Sequence, residues 1–145
     1  MVFCCEQRRN SMTENATRSA RCCCGSIRLQ TVGEPLTVSV CHCLDCQRRT
    51  GSILGTQVRF PNENVSVQGR PKVFERTGDT GAKVTFHFCP ECGTTLFWKA
   101  EKLEGFTVVA LGAFEERGFS SPTYSVYECR QQPWVQLVGE MEHYD

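Results

Sequence analysis

The distribution of cysteines constrains this chain more than any other feature. Three clusters stand out: Cys22-Cys23-Cys24-Gly25, Cys41-His42-Cys43-Leu44-Asp45-Cys46 and Cys89-Pro90-Glu91-Cys92-Gly93. On an extended backbone residues i and i+2 face the same side, so Cys22 and Cys24 can hold one ion while Cys23 points away. Cys89-x-x-Cys92 followed by Gly93 reads as a turn that presents two sulfurs, with Gly93 supplying a conformation other residues resist. The two doublets together make a closed four-thiolate zinc site of the structural kind: Cys22, Cys24, Cys89 and Cys92. The triplet Cys41, Cys43 and Cys46 has three ligands converging from an extended pair into a turn and no obvious fourth. Catalytic zinc keeps a coordination position open, so the arithmetic predicts about two zinc ions, one structural and one catalytic. The competing assignment is a second structural zinc closed by His42, His87 or Cys129. His42 points to the opposite face of an extended chain, and His87 lies on a strand near the first zinc. Cys129 reads as a buried thiol and is the first of the three to test.

Eleven cysteines permit either a disulfide scaffold or a set of reduced metal ligands. The odd count disfavours complete pairing. Residues 1–20 hold no apolar run of signal-peptide length and are rich in polar groups such as Arg8, Arg9 and Asn10. No later stretch approaches the length of a membrane span. The reading is therefore a cytoplasmic chain without a membrane partner, in which C-x-C and C-x-x-C spacings mean metal. Cys43-x-x-Cys46 as a redox pair is disfavoured, because the βαβ pattern that accompanies such motifs is missing.

With 145 residues the simplest organisation is one domain, able to bury roughly two-thirds of its unfolded surface. Sixteen basic and sixteen acidic residues give no net field, which makes nucleic acid an improbable partner. Oligomeric state is not legible. Residues 1–20 read as a polar leader containing Cys4, Cys5 and an alternative start at Met12, and residues 21–145 as the zinc-binding domain. From Cys22 onward short alternating runs predict strands at 27–32, 36–40, 65–67, 72–76, 84–88, 94–98, 106–111 and 124–129. Gly33-Glu34-Pro35 turns between the first two, and Thr77-Gly78-Asp79-Thr80-Gly81 is a hairpin loop. Only Asp45–Thr50 and Asn62–Asn64 are capable of a helical turn. The fold class is all-β, with short twisted antiparallel sheets and zinc knuckles at strand ends.

Three further features sit beside this framework. Arg48 and Arg49 follow the triplet and could receive a substrate carboxylate, although a solvated turn is the default for such a pair. Pro133-Trp134 reads as an aromatic plug on the core or a ligand-stacking surface. Phe97 and Trp98 point to opposite sides of their strand, one in and one out.

Those same residues resemble the glutathione-dependent formaldehyde-activating enzyme family, which includes centromere protein V. The resemblance runs from Arg21 to about Leu137. It rests on Cys22-x-Cys24-Gly25, CHCLDCQRRTG at Cys41 to Gly51, RTGDTG at Arg76 to Gly81, FCPECGTTLF at Phe88 to Phe97, and Pro133-Trp134. It implies a β-tent fold, a structural zinc on Cys22, Cys24, Cys89 and Cys92, and a catalytic zinc on Cys41, Cys43 and Cys46. It also implies a carbon–sulfur lyase reaction, the condensation of glutathione with formaldehyde to S-hydroxymethylglutathione. Cys23 and Cys129 are departures from the pattern. The expected partners are thus a small thiol and a small aldehyde, with Arg48 and Arg49 as candidate glutathione contacts. The alternative is a non-catalytic zinc module that binds protein or nucleic acid.

Overall fold

The computed structural model describes residues 16–145, so Cys4, Cys5 and Met12 lie outside the described residues. Eleven strands and one short helix follow in order among them: β1 (Thr17–Arg21), β2 (Arg28–Val32), β3 (Thr37–Cys41), α1 (Leu44–Thr50), β4 (Gly55–Pro61), β5 (Val65–Gln68), β6 (Lys72–Thr77), β7 (Lys83–Phe88), β8 (Thr95–Ala100), β9 (Phe106–Ala110), β10 (Tyr124–Val126) and β11 (Glu142–His143). The protein is mostly β, as its alternating runs predict. A three-stranded sheet has the order β1-β2-β5, and an eight-stranded sheet the order β11-β10-β3-β4-β9-β8-β7-β6. The Thr77–Gly81 loop closes the β6–β7 hairpin. Gly33-Glu34-Pro35 instead carries the chain from the small sheet to the large one, because β2 and β3 belong to different sheets.

Register sorts the side chains of the large sheet onto its two faces. One cross-strand row runs Val38, Val58, Val109, Phe97 and His87. The neighbouring row, on the opposite face, runs Arg59, Val108, Trp98, Phe86 and Phe74. The first row faces the small sheet, and the core forms between them from Ala20, Ile27 and Leu29 on one side and Val38, Val58, Phe60, Leu96, Phe97 and Val109 on the other. Phe97 therefore points inward, stacked on His87 with ring centroids 4.2 Å apart, while Trp98 occupies the far face.

Four sequence expectations are corrected. β1 begins at Thr17, inside the stretch read as a leader. Its alternation is invisible because only Ala20 of its five residues is buried. The strand is held by its ladder to β2 and by charge: Arg18 pairs with Glu34 at 2.8 Å, and the Glu116 carboxylate accepts the Ser19 N–H. β4, a central strand, went unread because only Val58 and Phe60 carry an apolar signal between Gly55 and Pro61. The last predicted strand stops at Val126, where Tyr127 takes a left-handed conformation (φ 59°) and turns the chain into a 3-10 segment over Glu128–Arg130. Finally, the large sheet is mixed, since β10 runs parallel to both β3 and β11.

Trp134 does not plug the core; its side chain is 71% exposed. Phe60, fully buried on the central strand β4, does that work. Phe60→Ala should destabilise the domain by about 3–5 kcal/mol through lost transfer energy and a residual cavity. Val138→Ala, at an exposed position, should stay within about 0.5 kcal/mol of wild type. Denaturant unfolding of both variants checks the pair.

Candidate metal centres

The sulfurs of Cys22, Cys24, Cys89 and Cys92 all lie within 4.8 Å of one another. Two local turns bring them together. Residues 22–27 form a tight reversal between β1 and β2, closed by Gly25 N–H to Cys22 O and Cys22 N–H to Ile27 O, both 3.0 Å. Residues 89–94 form the matching reversal between β7 and β8, with Gly93 at φ 74° donating to Cys89 O at 2.9 Å. The Cys24–Cys89 and Cys22–Cys24 sulfur separations are 3.6 and 3.5 Å. A zinc–thiolate tetrahedron requires sulfurs about 3.8 Å apart, so the four donors fit such an ion.

Residues that the spacing did not single out complete this centre. The Ser26 hydroxyl lies 3.1 Å from Cys24 Sγ and 3.2 Å from Cys89 Sγ, and Thr94 Oγ1 lies 3.2 Å from Cys92 Sγ. Each stands two residues beyond a cysteine, a spacing that could have flagged it. Cys23 turns its side chain to solvent, as alternation predicts, and its N–H donates to Thr94 Oγ1 at 3.2 Å, tying one turn to the other. Hydrogen bonds from the Thr94 hydroxyl, the Thr94 N–H and the Cys24 N–H lower the Cys92 thiol to about 5. Burial pushes the Cys22 thiol up, but the Ile27 N–H, the Ser26 hydroxyl and the neighbouring thiols outweigh it and leave it at about 7. Both shifts favour the thiolate form that metal binding needs.

Cys41, Cys43 and Cys46 form the second cluster, with sulfurs again within 4.8 Å of one another and no fourth His, Cys, Asp or Glu donor among the described residues. Cys41 ends β3. Cys43 is the N-cap of α1, and its sulfur accepts the Cys46 N–H at 3.3 Å. One helical turn thus folds the third sulfur back onto the other two. Hydrogen bonds from Cys41 and then Cys46 lower the Cys43 thiol to about 2, and the contact with Cys43 pushes Cys41 well up. Cys43 is therefore the easiest of the three to ionise.

None of the proposed fourth ligands joins the triplet. His42 is fully buried, and burial holds its pKa below the usual range. His87 stacks on Phe97. Cys129, read as a buried thiol, is exposed on the 3-10 turn that follows Tyr127, because the left-handed residue ends β10 before position 129.

The helix separates the two guanidinium groups that follow the triplet. Arg49 lies three residues after Cys46 and shares its face; Arg48 does not. Arg48 is 73% exposed and reaches Asp45 at 3.4 Å. Arg49 lies over Trp98, 4.3 Å from guanidinium carbon to ring centroid, and 5.9 Å from Phe86. Its Nε and Nη2 are buried without a hydrogen-bond partner, and no carboxylate pairs with it among the described residues. Arg76, its neighbour over Phe86, is paired with Asp45 at 2.8 Å.

Arg49 also lines a cleft of about 830 Å³, together with Thr50, Thr56, Cys23, Cys92 and Arg21. The triplet cysteines are not on that lining. The link is Gly55, where a Cβ would meet both Arg49 and Cys46.

Two clusters predict two metal ions per metal-replete chain, measurable by elemental analysis. Cys89→Ser should lower the unfolding midpoint far more than Cys46→Ser, because only the first cluster joins segments distant in sequence. Loading the triplet at neutral pH should release about two protons per ion, since Cys43 is already a thiolate while Cys41 and Cys46 hold their protons. Calorimetry in buffers of different ionisation enthalpy measures that number.

No helix among the described residues is long and apolar enough to cross a membrane. In comparisons with known proteins, a crystal structure of a Rhodobacter sphaeroides protein from structural genomics is similar to this one with a TM-score of 0.55. The two are 18% identical, and the match covers 68% of this chain and 89% of that one, a likeness of fold. No curated protein matches. The profile of the glutathione-dependent formaldehyde-activating enzymes matches residues 17–130, which takes in β1 and both cysteine clusters and ends before Pro133-Trp134. The chain belongs to the glutathione-dependent formaldehyde-activating enzyme family.

Proposed function

We propose that this protein is a zinc-dependent carbon–sulfur lyase that forms and cleaves the adduct of glutathione with formaldehyde or another small aldehyde. The observation that carries this reading is a three-sulfur cluster with no fourth donor among the described residues, set beside a buried guanidinium with no anionic partner there. In this reading Cys22, Cys24, Cys89 and Cys92 hold a structural zinc, and Cys41, Cys43 and Cys46 hold the catalytic one. Zinc in the triplet would supply the positive centre that keeps an incoming sulfur as thiolate at neutral pH, where a free thiol with pKa about 8.5 is mostly protonated.

The chain's own residues bind and orient. Arg49, on the lining of the cleft, receives a glutathione carboxylate, while Trp98 under the guanidinium fixes its plane. Arg48, exposed and turned to Asp45, takes no part. With the peptide anchored, the thiol gives up its proton and its sulfur attacks the aldehyde carbon; a carbon–sulfur bond forms as the carbonyl π bond breaks, and the former carbonyl oxygen takes up one proton in place of the one the thiol lost. The reverse reaction breaks that bond and returns the proton. Anchoring both reactants turns a bimolecular encounter into an oriented one.

One observation favours a non-catalytic, metal-stabilised binding module instead: the cleft that Arg49 lines touches the four-cysteine centre and not the triplet. Two measurements separate the readings. Exchange NMR of the glutathione–formaldehyde equilibrium should show acceleration by the metal-replete protein, reduced to background by Cys46→Ser in a protein that remains folded. In the cobalt-substituted chain, glutathione should alter the thiolate charge-transfer bands, and S-methylglutathione should do so much less. A spectrum indifferent to glutathione, with no acceleration of exchange, would leave the binding module as the better description.

A further inference from the structure

Among the described residues, Gly55 is the one glycine in a strand, where it is the first residue of β4. Glycine carries an entropic cost wherever the backbone is ordered, so its presence beside α1 asks for a reason. Backbone conformation is not the reason, because Gly55 is not among the residues with positive φ. Space is. A Cβ at this position would lie 3.0 Å from Arg49 Nη2, 3.4 Å from Cys46 Cβ and 3.8 Å from Thr50 Cγ2. The tightest of these contacts is with the end of a flexible side chain, so an added methyl would displace the guanidinium before it disturbed the helix. Arg49 is thus held between two surfaces, the bare backbone of Gly55 and the face of Trp98, with a ring-centroid distance of 4.3 Å to the latter. Together they keep a cation against the cleft without the carboxylate partner that Arg18, Arg21, Arg76 and Arg130 each possess.

The geometry points to Gly55 and Trp98 as positioning residues that hold Arg49 as a carboxylate receptor, with the side chain at position 55 setting whether the cleft prefers carboxylate-bearing or neutral ligands. This rests on the reading of Arg49 as the group that receives the substrate carboxylate. It goes further by assigning that selectivity to a residue with no polar atom beyond its backbone. Trp98 orients the planar guanidinium, and the missing Cβ leaves room for it. Neither residue need touch the ligand.

Calorimetric titration of the metal-loaded full chain tests this, with S-methylglutathione and its diethyl ester as probes. Neither probe can enter a metal's coordination sphere as a thiolate, so the result is independent of whether the triplet is open. Wild type should bind the acid at least about tenfold more tightly than the ester, as a charge-assisted contact to guanidinium requires. Arg49→Ala should abolish that preference, and Gly55→Ala and Trp98→Leu should each reduce it to within about threefold. Arg49→Lys in the Gly55→Ala background should restore part of it, because a slender ammonium fits beside the new methyl; a merely structural defect would not be rescued this way. Arg48→Ala should keep the full preference. Unfolding midpoints and metal content accompany each variant, and Trp98→Leu decides the matter if Gly55→Ala does not fold. A wild type that binds acid and ester alike, or fails to bind the acid, overturns the inference, as does a folded Gly55→Ala with undiminished preference. A cobalt spectrum indifferent to glutathione, alongside an intact preference here, would sink the catalytic reading and leave this one standing.

Discussion

The rest of the structure depends on one convergence of sulfur. Cys22 and Cys24 lie between two strands of the small sheet, and Cys89 and Cys92 lie between two strands of the large one. Their sulfurs meet across 65 residues of chain, as the 3.6 Å Cys24–Cys89 separation shows. A three-stranded sheet whose first strand buries a single alanine has little independent stability. Fastened to the large sheet at this point, it can cover Phe97, Val58 and Phe60 and complete the core. A structural metal held by these four sulfurs would contribute on the order of 10 kcal/mol to folding, comparable to the whole net stability of a small domain. The Cys23 N–H to Thr94 hydrogen bond reinforces the same junction without a metal.

The second cluster has a different relation to the fold. Cys41, Cys43 and Cys46 span the end of one strand and the first turn of the helix that follows, so they tie together nothing that the chain does not already hold adjacent. What surrounds them is long-range. Gln47 of α1 donates to the Arg130 carbonyl, and Arg130 in turn pairs with Asp79 in the β6–β7 loop at 3.0 Å. Arg76 of β6 reaches Asp45 of α1. The helix bearing the third sulfur is therefore braced against two distant segments while its own ligand geometry stays local. A metal gained or lost at such a centre need not unfold the domain, which suits chemistry better than scaffolding.

Charge balance tells a parallel story at the level of single side chains. The formal net charge of zero conceals an uneven distribution. Arg18, Arg21, Arg48, Arg76 and Arg130 have carboxylate partners, whereas Arg49, on the same helix as Cys46, has aromatic rings beneath it and no paired anion among the described residues. Cation–π contact contributes about 0.5–2 kcal/mol and does not replace the hydrogen bonds that buried guanidinium nitrogens lose. The arrangement is held by its neighbours, and an anionic ligand is the natural completion of it.

The two cysteine clusters were legible in the sequence because convergence within a turn is local: i, i+2 and i, i+3 spacings decide which sulfurs can come together whatever the rest of the chain does. Strands with clear alternation, such as β2 with Leu29 and Thr31 turned inward, were legible for the same reason. So was the helical turn after the triplet, ended by Gly51 in the left-handed region. Three residues of separation on that helix even held the distinction between Arg49 and Arg48. Tertiary structure decided the rest. β1 and β4 are strands because partners hydrogen-bond to them, not because their side chains alternate. β10 is parallel to β3 because its partner lies far back in the chain, and Cys129 is exposed because one left-handed tyrosine ends the strand. Ser26 and Thr94 become neighbours of sulfur only when two turns distant in sequence are brought together, and Gly55 acquires its meaning only beside Arg49. Local spacing specifies what a segment can bind; the register of strands far apart in sequence specifies what stands next to it.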